Sequence, residues 1–126
     1  MPNTKFLHIS RNPIATALSV RRQKWGPRTL EASAQWVETY YRTWWATVRS
    51  LPKNIDLLDI SLESISEKPN ESLELIENFL TLKNISCEKP LVDNEIVNRW
   101  KESVSESELR FLKTTLSGVI DLNKNI

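Results

Sequence analysis

Phe6–Lys24 reads FLHISRNPIATALSVRRQK, a short apolar run followed at once by a helix-opening pair. Lys5–Ser10 is predicted as a strand from its brevity and its Phe, Leu and Ile content. Asn12 suits an N-cap, because its side-chain oxygen accepts from an orphan N–H of the first turn. Pro13 is preset for the first helical position. The helix is predicted to run to about Lys24, with Ile14, Ala17, Leu18 and Arg21 on one stripe, and Gly26-Pro27 breaks it. A strand feeding straight into a helix, with Arg11 at its carboxyl end, is the layout of an open α/β sheet, whose ligands bind off those ends.

Outward from this stretch, Thr29–Ser50 is predicted as a long helix. Leu30, Val37, Tyr41, Trp44, Val48 and Leu51 recur at threes, fours and sevens, with Trp45 off the main apolar line. Pro52 ends it. Ile55–Leu62, IDLLDISL, is predicted as the second strand. Pro69-Asn70 starts a third helix with Leu73, Ile76, Phe79 and Leu80 as its buried face. Lys83–Asn98 reads mostly as loop. Ser105-x-x-Glu108 has the form of a capping box and opens a last helix with Leu109, Leu112, Leu116 and Val119 inward. The order is strand, helix, helix, strand, helix, loop, helix. Helical crossovers join parallel strands, so an α/β fold with a parallel sheet follows. Such a sheet wants both faces covered and more than two strands, which makes the pattern that of a partial, doubly wound sheet.

The chain has 126 residues, 40% of them hydrophobic, enough for a single packed domain over residues 1–126. No run of 18 apolar residues occurs, so no membrane-spanning helix is expected. MPNTKFLHISRNP contains no apolar run of a secretory signal. One cysteine, Cys87, allows no internal disulfide and heads no metal-ligand cluster. A reduced, cytoplasmic setting without a structural metal is expected. The net charge is +1, unevenly spread. Residues 1–30 hold six basic side chains and no acid, while the rest hold 11 basic and 16 acidic and carry −5. A basic N-terminal quarter suits an anionic partner, or is a solvated helix face.

Arg11 offers a planar fork for phosphate oxygens, at a helix N-terminus whose free N–H groups favour anions. Ser19 lies two turns on, so Arg11 and Ser19 could hold one phosphate between them, and Arg22, one turn further, could add charge. The competing reading makes Arg11 part of a structural ion pair and Ser19 a small packing residue. His8, the one histidine, is a packed or edge histidine or a general base. Glu63 is a cap or salt-bridge partner or a base. Cys87 sits beside Glu88, and a neighbouring acid raises a thiol pKa, so it is no obvious nucleophile. Trp36, Tyr40, Tyr41, Trp44 and Trp45, interleaved with Arg42 and Arg49, could stack bases. Helical spacing favours a core or an interface instead.

RNPIATALS, from Arg11 to Ser19, resembles the 3′-phosphate-binding motif R-D-P-x-D-x-x-x-S of PAPS-dependent sulfotransferases. Trp36, Tyr40 and Trp44 fall where that family has a Trp/Tyr-rich helix. Leu62-Glu63-Ser64-Ile65 is similar to its Y-E-D-L. Pro69 through Leu82 is similar to its P-x-x-x-L helix ending F-L-G-L. Arg99-Trp100-Lys101-Glu102-Ser103-Val104-Ser105 resembles its R-W-x-x-x-L-S. Asn12 and Ala15 replace two Asp, and Leu62 replaces a Tyr. The resemblance implies a partial P-loop-like fold and PAPS as co-substrate, with sulfonate transfer to a hydroxyl or amine. It implies Arg11 and Ser19 on the 3′-phosphate, and Trp100 and Lys101 in the segment that closes over the cofactor; Arg22 joins them as a nucleotide-contact candidate on its spacing from Ser19. It assigns no catalytic residue. The chain resembles the C-terminal half of the family, without the 5′-phosphosulfate loop and the usual base. On that reading it is a fragment or one half of a split protein, prone to self-association, that does not turn over PAPS by itself. Neither a membrane nor a nucleic acid is expected as partner. Two alternatives stand: a non-catalytic phosphate-binding module, and a basic, aromatic helical interaction domain.

Overall fold

The computed structural model describes residues 4–82 and 93–124. In chain order its elements are strand β1 (Thr4–Ser10), helices α1 (Pro13–Arg21) and α2 (Leu30–Arg49) and strand β2 (Ile55–Ser61). Helices α3 (Leu62–Glu67), α4 (Pro69–Leu80), α5 (Asn94–Asn98), α6 (Trp100–Ser103), α7 (Glu106–Thr115) and α8 (Ser117–Lys124) follow. The protein is mixed α/β with a two-stranded parallel sheet. Its residues gather into two compact units, Met1–Arg11 with Pro52–Arg99 and Asn12–Leu51 with Trp100–Ile126.

The first unit is built on the sheet. β1 and β2 run parallel in equal register, from Thr4 opposite Ile55 to Ser10 opposite Ser61. The second strand stops at Ser61, one residue short of its predicted end. The Ser61 hydroxyl accepts from the Ser64 N–H at 3.0 Å and caps α3; a serine that can satisfy an orphan donor draws the chain out of the ladder. α3 itself was not expected, being too short to show a period. Its Ile65 is buried, and the Ser72 hydroxyl of α4 donates to the Ser64 carbonyl at 3.0 Å, tying the two helices. α4 starts at Pro69 as predicted and ends at Thr81 in the left-handed region, φ 56°. Its expected face of Leu73, Ile76, Phe79 and Leu80 is half-buried. Lys5 of β1 donates to the Phe79 carbonyl at 2.7 Å and to the Thr81 hydroxyl at 3.3 Å. A cation at a helix C-terminus is where free carbonyls and the helix dipole favour it. The Lys83–Asn98 stretch is not all loop. Asp93 caps α5 by accepting from the Glu95 N–H at 2.9 Å, and Val97 buries it. Residues 83–92, with Cys87, lie outside the described residues.

The second unit is helical. Asn12 caps α1 as predicted, its side-chain oxygen accepting from the Ile14 N–H at 2.8 Å. The helix ends at Arg21, not Lys24. Successive bonds from Arg22 to the Ser19 carbonyl, Gln23 to Val20 and Gly26 to Gln23 fold the chain into tight turns. Gly26 is required there, since a Cβ at that position would stand 2.7 Å from the Val20 carbonyl oxygen. The core joins Ile14, Ala17 and Leu18 of α1, Ala34, Val37, Tyr41 and Trp45 of α2, and Leu112, Leu116 and Val119 from the α7–α8 segment. Trp45 is thus a core residue and not an outlier. The predicted last helix breaks at Leu116 into α7 and α8, where Ser117-Gly118 has low helix propensity.

The capping box forms as read. Ser105 Oγ accepts from the Glu108 N–H, and Glu108 Oε1 accepts from the Ser105 N–H, both at 3.2 Å. Glu108 Oε2 takes the Arg21 guanidinium of α1 at 2.8 Å. The Arg21 hydrogen bond, then the Ser105 N–H, hold the Glu108 carboxyl below its ordinary value. A depressed carboxyl adds stability above the unfolded-state pKa and loses it as pH falls through the folded value. Glu108→Gln keeps the capping shape and removes the charge. Its melting temperature should lie below that of the parent at neutral pH, and the gap should close at acid pH below the usual glutamate range. A gap that does not vary with pH would show that the charge contributes nothing.

Candidate functional site

Each candidate residue is placed by its own unit. In the first, Arg11 follows β1, and its Nη2 donates to the Val97 carbonyl of α5 at 3.4 Å. The same strand carries His8. Its Nδ1 lies 2.8 Å from Asp59 Oδ2 across the sheet, with side-chain exposures of 14% and 5%. The hydrogen bond between them sets the orientation of the ring. This is the packed-histidine reading with a specific partner, a cross-strand lock between two polar groups. Asp59 was not singled out from sequence. The signal was there: each is the fifth residue of a seven-residue strand, and equal register puts them side by side. Glu63 sits in the first turn of α3.

In the second unit, Ser19 is half-buried near the end of α1, and its carbonyl accepts from the Arg22 N–H at 3.1 Å and the Gln23 amide at 3.4 Å. Arg22 follows, and its Nη2 donates to Ser103 Oγ of α6 at 3.2 Å. The Ser103 hydroxyl in turn donates to the Trp100 carbonyl at 3.2 Å. Lys101 Nζ lies 5.9 Å from the centre of the Trp100 ring, within range of a cation–π contact. The Trp100 ring packs on the helical core, so Lys101 is carried on an anchored turn. Three of the five nucleotide-contact candidates, Arg22, Trp100 and Lys101, are therefore gathered in one place. Arg22 and Lys101 are both exposed there, and Trp100 is half-buried. Ser19 lies near the end of α1, just before Arg22, its C-cap; Arg11 belongs to the first unit.

The aromatic residues of α2 divide into two sets. Tyr41 and Trp45 are buried. Trp36 and Tyr40 are exposed, with parallel rings 5.7 Å apart, and Trp25 tilts against Trp36 at 5.9 Å. The cations of the base-stacking reading are engaged elsewhere: Arg42 Nε donates to Glu38 Oε1 at 2.9 Å and Arg49 Nε to the Trp45 carbonyl at 3.2 Å.

Among the described residues no cluster of three or more His, Cys, Asp or Glu is placed to hold a metal ion. No helix among them is long and apolar enough to cross a membrane. Comparison with known proteins finds no matching family model, curated protein or solved structure.

Proposed function

We propose that the chain is the nucleotide-binding part of a PAPS-dependent sulfotransferase, holding the 3′-phosphate side of PAPS or PAP. The observation that supports this reading best is the Arg22–Ser103 bond between residues 81 positions apart. It joins the end of the RNPIATALS helix to the Trp100–Lys101 turn, two segments that the family resemblance assigns to one nucleotide. PAPS, when bound, supplies the sulfonate whose sulfur takes the acceptor oxygen or nitrogen as its bond to the 5′-phosphate oxygen breaks. The work of this chain's own residues is positioning and charge stabilisation. Arg22 and Lys101 neutralise phosphate oxygens, and the Ser103 hydroxyl fixes the Arg22 fork. By the resemblance, Arg11 and Ser19 add the 3′-phosphate contacts.

Calorimetric titration with PAP tests the reading. Saturable binding that weakens with salt is expected, reduced several-fold in both Arg22→Ala and Lys101→Ala. Absence of binding, or binding that neither variant changes, would sink it. Labelled PAPS with this chain by itself should give no transfer to phenols, sugars or peptides, and clear transfer above a heat-killed control would overturn that expectation.

A further inference from the structure

The exposed side of α2 forms a groove of about 580 Å3, within the usual size of a ligand site. Its lining has a period. Gln35 and Trp36, Thr39 and Tyr40, and Thr43 and Trp44 are successive pairs four residues apart, and Thr47 continues the polar row. Residues four apart lie on one oblique ridge of a helix. Two ridges therefore run side by side, one aromatic and one of hydroxyls and an amide, with a rung about every 6 Å. From Gln35 to Thr47 they extend about 18 Å. The aromatic ridge is partly exposed: Trp36 is 39% and Tyr40 42% exposed, and Trp44 is half-buried against the helical core. Pro27 closes one end, where Trp25 leans on Trp36.

No lining residue is charged. A polyanion would meet no cation in this groove, which removes its main source of affinity. A compact aromatic molecule would use one rung and leave the rest wet. A long neutral ligand with an apolar face and a hydroxylated edge at every repeat fits both ridges together. We propose that the α2 groove binds an uncharged oligosaccharide. Its ring C–H faces rest on Trp36, Tyr40 and Trp44, and its hydroxyls bond to Gln35, Thr39 and Thr43. Contacts of C–H groups with aromatic faces are individually weak, so recognition comes from several rungs at once. A chain several sugars long should bind better than its monosaccharide. This inference does not depend on the nucleotide reading.

The test uses the full chain with neutral hexasaccharides of cellulose, xylan, chitin and starch, followed by NMR amide shifts and calorimetry. At least one hexamer should shift the amides of Gln35–Thr47 and bind equally well at low and high salt. Tyr40→Ala should weaken it about two- to tenfold, the scale of one aromatic contact, and Thr43→Val should also weaken it. Both positions are exposed, and unchanged melting curves would show that each variant is folded. The proposal is overturned if no hexamer shifts these amides, if binding survives Tyr40→Ala unchanged, or if only single-stranded DNA or a proline-rich peptide moves them.

Discussion

Trp45→Ala should lower the unfolding free energy of the helical unit by about 3–5 kcal/mol, the usual cost of removing a large buried ring. Trp45 is 8% exposed and belongs to the cluster that holds Val37, Tyr41 and Leu112 together. Its loss leaves a cavity among neighbours that come from separate helices and cannot all close in. Trp36→Ala on the same helix removes a ring that is 39% exposed and touches Trp25 and Tyr40, and should cost clearly less, about 1 kcal/mol, the scale of an aromatic pair. Urea unfolding followed by near-ultraviolet dichroism reads both. Similar losses in the two variants would mean that Trp45 does not hold the core.

Arg11→Ala should weaken PAP binding by about 1.5–3 kcal/mol, the scale of a hydrogen bond to a charged group, or roughly ten- to more than a hundredfold. Because Arg11 Nη2 also donates to the Val97 carbonyl, the alanine variant could lose affinity through local loosening. Arg11→Lys separates the two causes. Lysine keeps the charge and loses the planar fork, so it should recover part of the affinity if the contact is to phosphate. The melting temperature of each variant reads the loosening directly. Unchanged affinity for PAP in Arg11→Ala would remove Arg11 from the site.

Both strands and the long helices were legible because each carries a strong local signal. Lys5–Ser10 and Ile55–Leu62 stand out as short apolar runs, and Asn12-Pro13, Pro52 and Pro69 mark helix ends chemically. Trp45 was misread because the buried row of α2 follows every fourth residue from Val37 through Tyr41 to Trp45. Trp44, adjacent in sequence, continues the alternative spacing of three. Nothing local says which ridge a neighbouring helix will fill. α3 and α5 were hidden for a different reason: five or six residues do not complete two turns, and only their caps, Ser61 and Asp93, announce them. At the candidate site, the basic residues were visible one by one. That Arg22 meets Ser103 rested on pairing two distant segments, which spacing along the chain cannot supply. The groove of α2 was legible only as a row of aromatics. Its polar ridge became meaningful once the buried side was known.

The two units are interleaved along the chain. The backbone passes from one to the other between Arg11 and Asn12, again between Leu51 and Pro52, and a third time between Arg99 and Trp100. Neither unit is a continuous segment, so neither can be completed by the ribosome before the other is under way. His8 and Asp59, partners across the sheet, are 51 positions apart. β1 must therefore wait, its ladder N–H and C=O groups unpaired, until the whole α1–α2 stretch and β2 have been made. Closing so long a loop costs entropy before any pairing rewards it, and parallel pairing of this kind slows folding. A protease cut at any one of the three crossings would not release a domain. A cut after Arg11 or after Arg99 would split one unit and leave the other whole but joined to a remnant, and a cut after Leu51 would split both.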